Sequence, residues 1–592
     1  MVFILAVKSR PLYVAGQQMK SNNMLRSTPV KSTVKALSSF KPNRQANMKN
    51  QNKGFRTRNV ALVSGIIIVG SYVSLSQSNY YNLDTLPHGS NGSSSLNGIK
   101  SGSVYSLDPY SHNPIKNDGR YFSTITNSMQ NNGIGNYQNK DNIFLFSDEQ
   151  INQKLRRFEE SYLLNRGKGV SRYDICQLAS NSPIEDDRAE EIVQVPIIQD
   201  NNIRTSTDWM FFGIFDGHSG WNTSSKLRDQ LIGYVIHELS TIYKPAKEEN
   251  LRYVPNSITI DQAIKNGFLK LDHDIVHKNM ERLLTENNKG RAAELLTPAL
   301  SGSCALLSFY DSNSKLLKVA VTGDSRAILG SYRDNKWTVK QLSVDQTGSN
   351  PNEVARIISE HPNEANVVRN GRVLGSLEPT RAFGDCRYKV PASIQERIYK
   401  QFFGKLLPQN LKTPPYVTAE PVVSTTKVSP ENNDFLVMAS DGLYEMLSNE
   451  EIVGLVVKWM ENEKMVKPQK SLWNFLGSPE NKLPEVFDIT NDRVSKKPVR
   501  KNKAASVSGS FLLEDKNVST HLIRNALLNG GSKDQISMLL SIPSPISRRY
   551  RDDLTVTVVF FGSGKEGANE NGVLEINPDA TSGGIDSSKP KL

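Results

Sequence analysis

Short apolar runs, each set beside an acidic turn, recur through the middle and end of the chain. Trp209–Phe215 leads into Asp216 and Phe435–Ser440 into Asp441, while Leu554–Phe561 follows Asp552. Ser303–Phe309 and Leu316–Val321 come in succession and close on Gly323-Asp324. Their β-branched and aromatic residues, with glycine at the turns, predict strands. Longer patterns with helical spacing lie between them, at Asn222–Tyr243, Thr259–Leu284 and Asn449–Met460. Several strands follow one another directly, unlike a βαβ alternation. Antiparallel sheets with helices packed outside them, an α+β fold, are therefore expected.

The remaining segments divide the chain. Residues 1–58 are rich in Lys, Arg and Ser and read as a mitochondrial presequence. Residues 59–76 contain the apolar run Val60–Leu75, about 24 Å long as a helix against a hydrocarbon core of about 30 Å. That makes a marginal membrane span, a candidate single anchor in the inner membrane. Residues 77–140, rich in Asn, Ser and Gly, read as a disordered linker. The catalytic body is assigned to 141–562, with insertions at 390–412 and 464–516, and a flexible tail to 563–592.

Charge sharpens this division. The formal net charge is +12, yet residues 1–83 hold twelve Lys or Arg and no Asp or Glu. Removing those twelve from the total of 72 leaves 60 basic residues against 60 acidic ones. The body is formally neutral, which removes the electrostatic case for a nucleic-acid partner. Three distant cysteines, Cys176, Cys304 and Cys386, form no disulfide framework and are expected to be buried thiols. His273 and His277 have a metal-ligand spacing but no third ligand in the pattern, so a solvated helix face is expected.

Carboxylates fixed at several strand ends can converge at one sheet edge. Converging like charges need a cation, and oxygen donors favour Mg²⁺ or Mn²⁺. Phe215-Asp-Gly-His-Ser-Gly220 resembles an element of the protein phosphatase 2C family. Six other elements match in the family's order: Pro183-Ile-Glu-Asp-Asp-Arg188, Ser301-Gly-Ser-Cys304, Thr322-Gly-Asp-Ser-Arg326, Thr380-Arg-Ala-Phe-Gly-Asp385, Ala439-Ser-Asp-Gly-Leu443 and Arg551-Asp-Asp-Leu554. The likeness covers roughly two thirds of the chain. It implies a four-layer α-β-β-α sandwich and a metal-dependent serine/threonine phosphatase.

The resemblance also implies roles. Asp216 would bridge two Mg²⁺ or Mn²⁺ ions, with the Gly217 carbonyl and Glu185 on one and Asp441 and Asp552 on the other. Asp186 would orient bound water, and His218 would protonate the departing seryl or threonyl oxygen. Asp324 and Glu445 match positions that hold a third metal in some members. Many members carry an Arg four residues before the Glu; here that position is Asn181, a tentative phosphate contact. The Asn-x-Pro-Ile-Glu-Asp context and the segment Thr520-His-Leu-Ile-Arg524 are similar to the fungal-type pyruvate dehydrogenase phosphatase branch.

The branch implies a phosphoprotein substrate, the E1α subunit of the pyruvate dehydrogenase complex, in mitochondria. The intermembrane space and the matrix both stay open as destinations. The terminal Pro590-Lys591-Leu592 is one residue from a peroxisomal address. A pseudophosphatase serving as a binding module is the alternative from another class. A phosphatase of other mitochondrial or peroxisomal phosphoproteins is the alternative within this one.

Overall fold

The computed structural model describes residues 145–199, 203–243, 252–468, 482–490, 511–562 and 574–582. Two large sheets dominate it. The first runs, edge to edge, through Val486–Asp488, Lys336–Gln341, Arg326–Arg333, Phe435–Ala439, Leu554–Phe561, Val170–Leu178, Glu159–Leu164 and Leu574–Ile576. The second runs through Val422–Lys427, Leu316–Thr322, Ala305–Asp311, Ile203–Phe215, Asp187–Gln199 and Arg252–Tyr253. All pairings within them are antiparallel except those of the short edge strands Val486–Asp488 and Arg252–Tyr253.

Alternation along single strands explains the layering. In Ile203–Phe215 the side chains of Trp209, Phe211 and Phe215 pack with helices Asn222–Ile242 and Ser257–His273. Met210, Phe212 and Ile214 point the other way, into the core between the sheets. Phe435–Ala439 repeats the arrangement: Phe435, Val437 and Ala439 face helices Asn449–Asn462 and Val518–Leu528, and Leu436 and Met438 face the other sheet. Both faces of these strands are covered, so the runs read as continuously apolar. Each fully buried Phe or Leu contributes about 2 kcal/mol. The layers stack helix, sheet, sheet, helix, as expected.

The three cysteines are buried and unpaired in disulfides. His273 precedes a turn of π-helix, Asp274–Lys278, and His277 lies within it, with ring centroids 5.3 Å apart, and the expected long helix is interrupted there. Two further segments contribute to the structure. Part of the second insertion is structural: Val486–Asp488 extends the first sheet, and Asp515 is buried against Arg524, Nε to Oδ2 2.6 Å. Part of the tail is also structural, since Leu574–Ile576 pairs with Glu159–Leu164 and Ala580 is buried. Both pieces are three-residue strands, too short to show an alternation. Among the described residues no helix is long and apolar enough to cross a membrane. The presequence, the run 60–75, the linker and Pro590-Lys591-Leu592 lie outside the described residues.

Helix Val518–Leu528, which carries the branch-like Thr-His-Leu-Ile-Arg segment, is buried along its whole length. Its His521 is fully enclosed, with Nε2 3.2 Å from the Leu455 carbonyl and Nδ1 3.2 Å from the Asn525 amide nitrogen. That pairing suits a neutral ring, and burial lowers its pKa to about 4. The unfolded chain takes up this proton near pH 6.5 and the folded chain does not, so stability is lost as pH falls from about 6.5 to 4. At pH 5 the loss reaches about 2 kcal/mol. The urea midpoint is expected to fall between pH 7.5 and 5, and less steeply in His521→Gln; an identical slope in both proteins would refute the assignment.

Candidate metal centre and active site

The site forms where the two sheets end together. Asp216 follows the strand Ile203–Phe215, and Glu185 and Asp186 precede its neighbour Asp187–Gln199, with Asp187 paired to Phe215. Asp441 follows Phe435–Ala439 in the other sheet, and Asp552 precedes the adjacent Leu554–Phe561, with Ala439 paired to Val556. Glycines let these ends approach. A Cβ on Gly217 would lie 2.2 Å from the Glu185 carbonyl oxygen, and one on Gly442 would lie 2.4 Å from the Asp553 carbonyl oxygen.

The electrostatics show that Asp216 sits in a crowd of carboxylates. Burial raises its pKa well above the usual carboxylate range, and the charges of Asp186, Asp441 and Asp324 raise it further. Glu185 is also raised by burial, against a hydrogen bond of 2.8 Å from the Gly220 N–H to Oε1. Among the described residues no three His, Cys, Asp or Glu side chains already form a closed ligand cluster. The Arg548 guanidinium draws Asp552 into an ion pair and is a positive charge felt at both Asp216 and Glu185. An all-oxygen donor set with excess negative charge fits hard divalent ions.

Supporting residues fix these groups. Asp186 is 1% exposed and accepts a 2.7 Å hydrogen bond from the Thr555 hydroxyl. Asp553, also buried, accepts from the backbone N–H groups of Ser180, Asn181 and Glu185 at 2.5, 3.1 and 2.8 Å. It ties the Asn181–Glu185 loop to the first sheet. Asn181 contacts Glu185, Nδ2 to Oε2 3.4 Å. Asp324 is buried, with Cys304 Sγ 3.3 Å from its Oδ1. Glu445 stands one helical turn past Asp441 and donates its N–H to the Asp441 carbonyl at 2.9 Å.

His218 has a partner that the sequence reading left without a role. Its Nε2 lies 2.6 Å from Asp385 Oδ2, the last residue of the Thr-Arg-Ala-Phe-Gly-Asp element. Burial opposes the imidazolium, but the charge and hydrogen bond of Asp385 outweigh it and raise the pKa of His218. Asp385 adopts a left-handed backbone, φ 48°, directly after the short strand Phe383–Gly384. Strands Gly217–His218, Gly302–Ser303 and Phe383–Gly384 form one small sheet that brings the pair together. No periodicity could have revealed this contact, although the acidic end of the element was a usable signal.

Residues 188–474 match the family model described as protein phosphatase 2C. The chain is 43% identical to pyruvate dehydrogenase (acetyl-transferring) phosphatase 1, mitochondrial, of Saccharomyces cerevisiae, over 96% of this chain and 100% of that one. A protein phosphatase 2C homologue of Schizosaccharomyces pombe is 43% identical over 69% of this chain and 84% of its own. The human protein named mitochondrial pyruvate dehydrogenase phosphatase 1 is 30% identical over 74% and 87%. The chain belongs to the protein phosphatase 2C family of protein serine/threonine phosphatases.

Proposed function

We propose that this chain removes phosphate from serine and threonine residues of the pyruvate dehydrogenase complex, on its E1α subunit, inside mitochondria. The observation that carries the chemistry is Asp216, its carboxyl crowded by Asp186, Asp441 and Asp324 beside an imidazole backed by Asp385. The printed names of the Saccharomyces and human relatives support the substrate and the compartment. The acid-free basic leader supports the compartment independently. Since the substrate works in the matrix, the matrix is the proposed destination.

Glu185, the Gly217 carbonyl, Asp216, Asp441 and Asp552 would hold two Mg²⁺ or Mn²⁺ ions, with Asp324 and Glu445 placed to serve a third. Such ions supply an activated water and stabilise charge on phosphorus. Asp186, anchored by Thr555, orients water around the centre. His218 delivers a proton to the departing seryl or threonyl oxygen, and Asp385 holds the ring for that delivery.

The test is phosphate release from a phosphoserine peptide and from phosphorylated pyruvate dehydrogenase. Turnover with Mn²⁺ should fall to background in excess EDTA and return when Mn²⁺ is restored. Turnover that persists through complete chelation would refute the metal reading. No turnover under any condition would favour the pseudophosphatase.

A further inference from the structure

The position at which many protein phosphatase 2C members carry a phosphate-pairing Arg is Asn181 here, and its side chain contacts Glu185. A neutral amide cannot supply the charge-assisted contact of a guanidinium. Another guanidinium stands beside this position. The turn Ile546–Arg549 is fastened to the segment before Asn181: the Ser547 hydroxyl donates to the Ser180 carbonyl at 2.5 Å, and Arg551 Nη2 donates to the Ala179 carbonyl at 2.7 Å. From that turn Arg548 reaches Asp552 and adds positive potential at Asp216 and Glu185. Its side chain remains 40% exposed, so the guanidinium is open to solvent as well as to the carboxylates.

We propose that Arg548 is the phosphate-binding arginine of this enzyme, moved from position 181 to an adjoining turn. The inference rests on the proposed function, because it concerns the phosphoester bound at that same centre. A metal held by Asp552 would share that carboxylate's charge and weaken its ion pair with Arg548. The guanidinium then turns to the anion bound beside it, the substrate phosphate before hydrolysis and inorganic phosphate after. The i,i+4 link between Arg548 and Asp552 thus stores the arginine at the rim until an anion claims it. Lys405 is the rival cation. Its Nζ lies 3.4 Å from the Ser219 carbonyl, within the fields of both Asp385 and Glu185, so it is tested alongside Arg548.

The test uses Arg548→Gln and Arg548→Lys in the full chain. In Arg548→Gln, KM for a phosphoserine peptide and the inhibition constant for inorganic phosphate should both rise about tenfold, with a smaller change in kcat. Arg548→Lys should retain part of both affinities. Adding Asn181→Arg to Arg548→Gln should recover them by restoring a guanidinium to the family position. Calorimetric titration of inorganic phosphate into the Mg²⁺-supplemented protein should show the same weakening without any turnover. Unchanged KM and phosphate affinity in Arg548→Gln would overturn the proposal, as would their loss in Lys405→Gln instead. If the unaltered chain releases no phosphate, the proposed function fails while the calorimetric titration still decides the role of Arg548.

Discussion

Asp216→Asn is expected to lower kcat about a thousandfold while making the metal-free protein harder to unfold. The loss follows from position: Asp216 is the carboxylate on which burial and the charges of Asp186, Asp441 and Asp324 converge, and the donor set is built around it. In the proposed centre, removing this carboxylate forfeits about 4 kcal/mol of transition-state stabilisation. The gain in stability has the opposite origin. A carboxyl whose folded pKa is raised weakens the fold as pH climbs past the unfolded carboxylate range, and an amide carries no such penalty. Kinetics with Mn²⁺ and thermal unfolding in EDTA check the two halves separately. Turnover within tenfold of the parent, or a lower metal-free Tm, would contradict this account.

Gly302→Ala should separate His218 from Asp385 and cost about a hundredfold in kcat on phosphoserine peptides, the usual scale for losing a general acid. A Cβ at this position would stand 2.2 Å from both His218 Nε2 and Asp385 Oδ2. Those atoms are the tips of side chains, so the methyl displaces them and the backbone stays in place. Asp385→Asn should lose a similar factor, and combining the two should add little, because both break one contact. An aryl phosphate, whose leaving group departs without a proton, should be hydrolysed almost as fast by each variant as by the parent. Equal losses on both substrates would remove Asp385 from the proton-delivery role.

Much of this site was readable before folding was considered. Asp216, Asp441 and Asp552 stand at the ends of apolar runs, Glu185 was marked by the resemblance of Pro183–Arg188 to a family element, and the pairing of adjacent strands sets these ends side by side within each sheet. Features that depend on contacts between distant segments were not readable. Asp385 acquires its role from a left-handed turn, and Arg548 acquires its own from a hydroxyl on the neighbouring residue gripping the loop near Asn181. The strands at 486–488 and 574–576 are defined by the partner they join rather than by any pattern of their own. The Thr520–Arg524 segment was noticed for its likeness to a branch, whereas its residues are packed in the interior.

The order of strands in the first sheet has a bearing on when the site is complete. Leu554–Phe561, late in the chain, inserts between Phe435–Ala439 and Val170–Leu178, which lie far earlier. Until it arrives, Phe435–Ala439 has its partner Arg326–Arg333 and Val170–Leu178 its partner Glu159–Leu164, but the two halves of the sheet are not joined and Asp552 is missing from the cluster. A chain that stops short of Leu554 therefore carries Asp216 without the strand that brings Asp552 to it, and the site is completed only when the last strand of this sheet's centre is in place.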